Sequence, residues 1–284
     1  MTQVHPSAVI GRRSQLAVLD IARRDAAEGT GRIVLVCGEP GIGKTRLVEE
    51  AARRARADGF TVAWASCWEG DGAPPLWPWT QVLDGLGAAA TIDVGAVDAG
   101  SGAGVAGAAR FPVYAAVLAA LEDACARFGQ VMLVFDDLHW ADGDSTAMLA
   151  FVALRLRALP LAIVAAFRPD EMPERDLATL TRVGEPLALG GLTVDEVAEL
   201  VGVVSGRRPS ASAAAALRAR CDGNPLFVRE LSRLLEGRPD TSPDTVAVPA
   251  SVRAVLERRL VRVEQPAVEM LQVLAVLGVM APIT

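Results

Sequence analysis

The stretch "GRIVLVCGEPGIGKTRLVEEAARRARADGF", Gly31 to Phe60, decides the fold. Ile33 to Cys37 is an unbroken apolar run, as expected of a strand buried on both faces. After Lys44 the spacing turns helical, with Leu47, Val48 and Ala51 on one side and Glu49, Glu50, Arg53 and Arg54 on the other, until Gly59 ends it. Between strand and helix lies "GEPGIGKT", which matches G-x-x-x-x-G-K-[ST]. Gly38, Gly41 and Gly43 permit backbone angles and close approaches that a Cβ would forbid. The loop Gly38, Glu39, Pro40, Gly41, Ile42, Gly43 can therefore turn successive N–H groups inward on an anion. The positive end of the helix that starts with Lys44, Thr45 and Arg46 adds to the attraction. Such a loop cradles nucleotide phosphates: Lys44 is expected to bridge the β- and γ-phosphates, and the Thr45 hydroxyl to ligate Mg2+.

A phosphate cradle needs an acidic element at the tip of a neighbouring buried strand, to hold the Mg2+ water shell. "VMLVFDDLHWAD", Val131 to Asp142, has that form: an apolar run that stops at Asp136 and Asp137. Asp136 is expected on the metal side, and Asp137 to orient or deprotonate the attacking water, with the division of roles between the two left open. Arg168 closes the strand candidate "IVAAFR" and should emerge at the same sheet edge. There a guanidinium can sense the γ-phosphate, the alternative being an ion pair with Asp170 or Glu171. His139 has no second His or Cys nearby, which argues against metal ligation. It is read either as a relay to a partner surface or as a packed, hydrogen-bonded side chain. Trp64, Trp68, Trp77 and Trp79 are read as core and loop packing.

Outward from these motifs, Phe60–Cys67, Leu161–Pro169 and Pro186–Leu192 are further strand candidates, with helices at Pro112–Phe128 and Ser145–Leu159 between strands. Strands alternating with helices predict an α/β fold with a mostly parallel sheet flanked by helices over residues 1–192. "CWEGDGAPPLWPW" reads as a loop, and Gly87–Arg110 as low-complexity sequence without expected structure. From Thr193 the chain turns helical through residue 237, opened by a capping box from Thr193 to Glu196. Residues 238–249 read as a linker, and 250–284 as two more helices. Because the chain stops directly after an apolar helix, a fragment of a longer protein is expected.

Composition narrows the class. With 51% hydrophobic and 22% charged residues the 284-residue chain is globular. Its net charge of −6, without a dominant basic patch, argues against nucleic-acid binding by this segment. Cys37, Cys67, Cys125 and Cys221 are too scattered for a zinc site and suit a reducing cytosol. No apolar run reaches the ~18 residues a membrane span needs, and no signal peptide is visible. A cytoplasmic protein without a membrane partner is expected.

Five ordered pieces, "VIGRRSQLAVLD", "GEPGIGKT", "CWEGDGAPPLWPW", "FDDLHWAD" followed by "AAFRPDE", and "CDGNPLFVREL", together resemble the AAA-type ATPase module of the STAND class. The likeness is to the module at the front of large ATP-binding LuxR-type transcriptional regulators, and it covers nearly the whole chain. It implies that Val9, Ile10, Gly11 and Arg12 cover the adenine, and that Pro225, in the Gly223–Pro225 turn, packs on the base from a helical lid at 193–237. It implies that Arg168 is the sensor arginine and that 250–284 begin a winged-helix domain. ATP/ADP with Mg2+ would then set a slowly hydrolysing switch, answering an inducer or protein partner through regions beyond this chain, with a nucleotide-dependent oligomer in reach. ATP over GTP rests on the resemblance. The alternatives are a ring-forming AAA-type remodelling ATPase and a P-loop kinase acting on a small molecule.

Overall fold

A computed structural model describes residues 9–70, 72–88 and 106–234, with isolated positions at 265, 267, 269, 270 and 272. The expected linker lies outside the described residues, as does the expected winged-helix start apart from those isolated positions. The chain divides into two compact units, Met1–Gly190 and Gly191–Thr284.

The first unit is built on a five-stranded sheet of β1 (Arg32–Cys37), β2 (Thr61–Ser66), β3 (Val131–Asp136), β4 (Leu161–Phe167) and β5 (Glu185–Ala188). Its order is β2-β3-β4-β1-β5, and every pairing is parallel. The helices are α1 (Arg13–Ala27), α2 (Lys44–Ala57), α3 (Trp77–Gly85), α4 (Ala106–Phe128), α5 (Gly143–Leu156) and α6 (Glu174–Val183). The apolar runs have a simple cause, because alternate residues of each central strand enter different cores. Ile33, Leu35, Leu133, Phe135, Ile163 and Phe167 pack under α3, α4 and α5. Val34, Val36, Met132, Val134, Val164 and Ala166 pack with Leu16, Leu19, Leu47 and Val48 of α1 and α2. A strand covered on both faces must be apolar at every position. Edge strand β5 pairs with β1 alone and carries Pro186, which an edge tolerates.

Three expectations need correcting. "CWEGDGAPPLWPW" is not all loop: its last three residues open α3, where Pro78 sits in the first turn, the place where a missing N–H costs nothing. Trp79 drives that helix inward. It is 1% exposed, its Nε1 donates to the Ser145 carbonyl at 3.0 Å, and its ring tilts against Phe135. Of the four tryptophans read as packing, Trp68 and Trp77 are instead exposed. Finally, α4 begins at Ala106, so the last residues of the stretch expected to lack structure are helical, and Pro112 lies inside the helix. The helices α1 and α6 had no counterpart in the periodicity reading.

The second unit contributes α7 (Val194–Ser205), α8 (Ala211–Cys221) and α9 (Pro225–Leu234). Leu192, Val197, Val201, Leu217, Cys221, Val228 and Leu231 form its core. Thr193 and Glu196 complete the capping box at the start of α7. Between α8 and α9, Gly223 has φ +67°, and a Cβ there would come within 2.4 Å of the Leu192 carbonyl oxygen. Only glycine fits that turn. Among the described residues no helix is long and apolar enough to cross a membrane.

Candidate functional site

A parallel sheet delivers all its carboxyl ends to one edge, where ligands of such folds bind. Here β4 lies between β3 and β1. Arg168, next after β4, therefore leaves the sheet between the loop that follows β1 and the acids that end β3.

The loop after β1 has the backbone its glycines allow. Gly38, Gly41 and Gly43 take φ values of +154°, +75° and +99°. A Cβ on Gly38 would meet the Leu189 carbonyl oxygen at 2.9 Å, so no side chain fits there. Helix α2 starts at once after Gly43, and its first N–H groups lack intrahelical partners. Lys44 is buried, and its Nζ donates to the carbonyls of Gly38 and Glu39 at 2.8 and 2.9 Å. Burial pushes the Lys44 ammonium down to about 8, and the Arg168 charge pushes it the same way, while Asp137, Asp136 and Glu171 oppose them. A buried ammonium beside a guanidinium is a site that favours an anion.

From the other side, Thr45 Oγ1 donates to Asp136 Oδ1 at 3.3 Å, and so does the Asp137 N–H at 3.1 Å. Burial raises the Asp136 carboxyl above its ordinary value, helped by the neighbouring Asp137 charge and opposed by the Thr45 hydrogen bond. Asp137 itself sits at φ +52°, a left-handed conformation that is uncommon for a residue with a Cβ. Strain of that kind costs about 1–3 kcal/mol and gathers at functional sites. The turn throws Asp137 off the strand line, so Asp136 is buried while the Asp137 side chain is 41% exposed. Thr45 and Asp136 offer two oxygen donors. No group of three or more His, Cys, Asp or Glu among the described residues could hold a metal alone. Two donors suit a cation that keeps several waters and takes phosphate oxygens as further ligands, as Mg2+ does.

Arg168 makes the ion pair with Glu171 that was the alternative to a phosphate sensor, and the pair is largely buried. Its Nη1 donates to both oxygens of Glu171 at 3.0 and 3.1 Å, with the two side chains 18% and 12% exposed. Its Nε is buried without an acceptor. His139 is packed, its Nε2 3.5 Å from Glu171 and its Nδ1 4.0 Å from Asp137.

The remaining expected residues divide. Arg12 is buried and its Nη2 donates to the Ile42 carbonyl at 2.9 Å, so it braces the loop from the start of α1. Val9 and Ile10 are half-buried just before it, and Gly11 turns the chain at φ +68°. Arg46 is half exposed, with its Nη1 3.6 Å from Glu49 Oε2. Pro40 is half-buried within the loop. Pro225 opens α9 in the second unit, after Asn224, whose Oδ1 accepts from the Leu226 N–H. Lys44, Thr45, Asp136, Asp137 and Arg168 thus share one sheet edge.

Two residues there escaped the sequence reading. Glu171 was named only as a possible competitor for Arg168. Asp142 caps α5 by accepting from Ser145 N–H and Oγ, and also accepts from Leu76 N–H at 3.2 Å, clipping the start of α3 beside the acid motif. Its signal, Asp followed three residues later by Ser just before an apolar helix, was legible as a cap but not as a clip.

A family model described as "AAA ATPase domain" matches residues 8–164, more than half of the 284-residue chain. The chain belongs to the AAA ATPase domain family. An uncharacterized protein of Rhizobium meliloti (strain 1021) is 27% identical to this AAA ATPase chain over 297 aligned positions, covering 89% of it and 28% of the relative. The chain therefore spans little more than a quarter of that relative's length. Among solved structures, the Walker-type ATPase PABY2304 of Pyrococcus abyssi superposes with a TM-score of 0.53 at 13% identity, over 94% of this chain and 76% of its own. The Aeropyrum pernix ORC1 protein, solved in complex with DNA, gives 0.52 at 18% identity, over 90% and 68%. At such identities the likeness is one of fold: the α/β P-loop architecture with a parallel sheet flanked by helices. Membership of the AAA ATPase domain family implies nucleotide binding and hydrolysis.

Proposed function

We propose that this AAA ATPase domain binds ATP with Mg2+, hydrolyses it slowly, and uses its ATP or ADP state to switch a larger regulator of the STAND class, of the LuxR-type transcriptional kind. The observation that carries the proposal is the convergence of Lys44, the Thr45–Asp136 pair, Asp137 and Arg168 at one sheet edge. Lys44 exchanges its two loop carbonyls for phosphate oxygens, and the N–H groups at the head of α2 and around the glycines hold the same anion. Thr45 and Asp136 would hold Mg2+, which supplies charge neutralisation for the developing phosphate transition state.

Asp137 positions a water molecule and accepts its proton. The water oxygen bonds to the γ-phosphorus, the bond to the β–γ bridging oxygen breaks, and ADP leaves with that electron pair. The Arg168 guanidinium senses the terminal phosphate, and ADP lacks that contact. Val9, Ile10, Gly11 and Arg12 cover the adenine, and residues 193–237 form the lid whose Pro225 packs on the base. Residues 238–249 link that lid to a winged-helix start at 250–284. An inducer or protein partner acts through regions outside this chain, the nucleotide state sets assembly with other copies, and the whole works in the cytoplasm. Free ATP at about 100 times its dissociation constant stabilises the binding-competent form by about 2.7 kcal/mol, enough to bias a two-state element.

Freshly purified protein tests this reading. Tightly held ADP, with slow turnover that does not depend on protein concentration, is the expected result. Fast turnover rising steeply with protein concentration would replace the switch with a ring-forming remodelling ATPase, and phosphate transfer to an acceptor other than water would make it a kinase.

A further inference from the structure

Arg168 and Glu171 are held together by a single 3-10 turn, Pro169–Glu171, that follows β4. In a 3-10 turn residues i and i+3 eclipse, so the side chain of Glu171 returns over that of Arg168. The turn is pinned by the Glu171 N–H to the Arg168 carbonyl and by the buried Met172 just after it. Both carboxylate oxygens grip the same nitrogen, Nη1, and Nε is left buried without an acceptor. On its far side the carboxylate faces Nε2 of His139, which stands in the Leu138–Trp140 turn after β3 and brings Nδ1 toward Asp137.

This arrangement is more than a local ion pair. Two cations, Lys44 and Arg168, share the sheet edge with Asp136 and Asp137. A guanidinium without its own counter-ion would be drawn onto those two acids, away from the terminal phosphate and across the metal side. A partly buried pair is also a poor source of stability, since desolvation offsets most of its attraction.

We infer that Glu171 is a positioning residue for ATP hydrolysis: it clamps Arg168 by Nη1 and so fixes the guanidinium at the sheet edge where the terminal phosphate binds, keeping it off Asp136 and Asp137. The inference rests on the nucleotide reading above and deepens it. It assigns ATP-over-ADP discrimination to a residue that itself touches neither nucleotide nor metal.

The test measures binding of fluorescent ATP and ADP analogues to the intact chain, with the thermal midpoint as a folding control. Glu171→Ala is expected to lower the ratio of ATP to ADP affinity by about fivefold to tenfold, within the usual range of coupling between sites. In an Arg168→Ala background the same change should have no further effect, because Glu171 acts only through that arginine. A ratio unchanged by Glu171→Ala, or one lowered equally in both backgrounds, overturns the inference. Should Glu171→Ala not fold, Glu171→Gln, which keeps the shape and loses the charge, is read by the same criteria. Lys44→Ala separates the two levels. If it leaves ATP affinity intact, the nucleotide reading falls and this inference with it. If it weakens ATP binding while Glu171→Ala changes nothing, only the role of Glu171 is lost.

Discussion

The two edges of the sheet carry charge in opposite ways. At the amino edge, Arg32 pairs with Asp25 at 2.5 Å and with Glu185 at 3.3 Å, and the Arg32 and Glu185 side chains are 43% and 50% exposed. They border a hollow of about 400 Å³ whose floor includes Gly31, Ile33 and Leu156. At the carboxyl edge, Lys44 and Asp136 are each 6% exposed, and each perturbs the other's proton equilibrium. Water screens the first set to a contribution of about 1 kcal/mol or less. Burial disfavours the charged forms of the second set, pushing Lys44 down and Asp136 up, the pattern common at sites that bind a charged ligand. One sheet therefore separates stabilising pairs from chemically poised ones, and substitutions at the two edges should fail differently.

The largest effect is expected from Asp137→Asn, which should slow ATP turnover at least about a hundredfold while ATP still binds. Undiminished turnover would remove Asp137 as the water-directing group and weaken the contrast at its centre. Next comes Lys44→Ala, expected to cost about tenfold to a hundredfold in ATP affinity, the loss of charge-assisted hydrogen bonds to phosphate. Titration with a labelled nucleotide measures it, and unchanged affinity would show the buried ammonium to be structural. Arg168→Ala should act more gently, narrowing the gap between ATP and ADP affinity by about tenfold. An equal loss for both nucleotides would make it a general phosphate contact.

At the opposite edge, Arg32→Ala should leave nucleotide affinity unchanged and lower stability by no more than about 1 kcal/mol in a denaturant titration. A change in nucleotide affinity would break the division between edges. The smallest effect concerns Glu50 on α2. Hydrogen bonding from Arg53, with a further bond from Arg54, holds its carboxyl at about 2 against an opposing effect of burial. Because the folded value is depressed, this stabilisation is present above the ordinary carboxylate range, near 4.5, and fades as pH falls through about 2. Glu50→Gln should therefore lower the thermal midpoint slightly at neutral pH and not at all near pH 2. An equal deficit at both would assign the effect to packing.

Much of this molecule was readable before any coordinates. The phosphate loop is contiguous, so glycines, lysine and threonine at fixed offsets encode their own backbone path between strand and helix. Unbroken apolar runs announced β1, β3 and β4 because both faces of each strand are covered. The capping box at Thr193 was equally local. Periodicity failed where a helix was disguised: α3 opens in a proline- and tryptophan-rich run, and the depth of Trp79 depends on Ser145 and Phe135, far along the chain.

What the residues determined alone is the chemistry available: an anion cradle, an acid pair at a strand end, an arginine at another. Only the tertiary structure decided how they meet. Insertion of β4 between β3 and β1 sends Arg168 out between Lys44 and Asp136, and brings Thr45 to within 3.3 Å of a carboxylate 91 positions away. The Pro169–Glu171 turn then folds Glu171 back onto that arginine and against His139. Local motifs set backbone geometry through bonded neighbours, whereas strand order and register decide which distant charges share a buried space, and no spacing in the sequence records that.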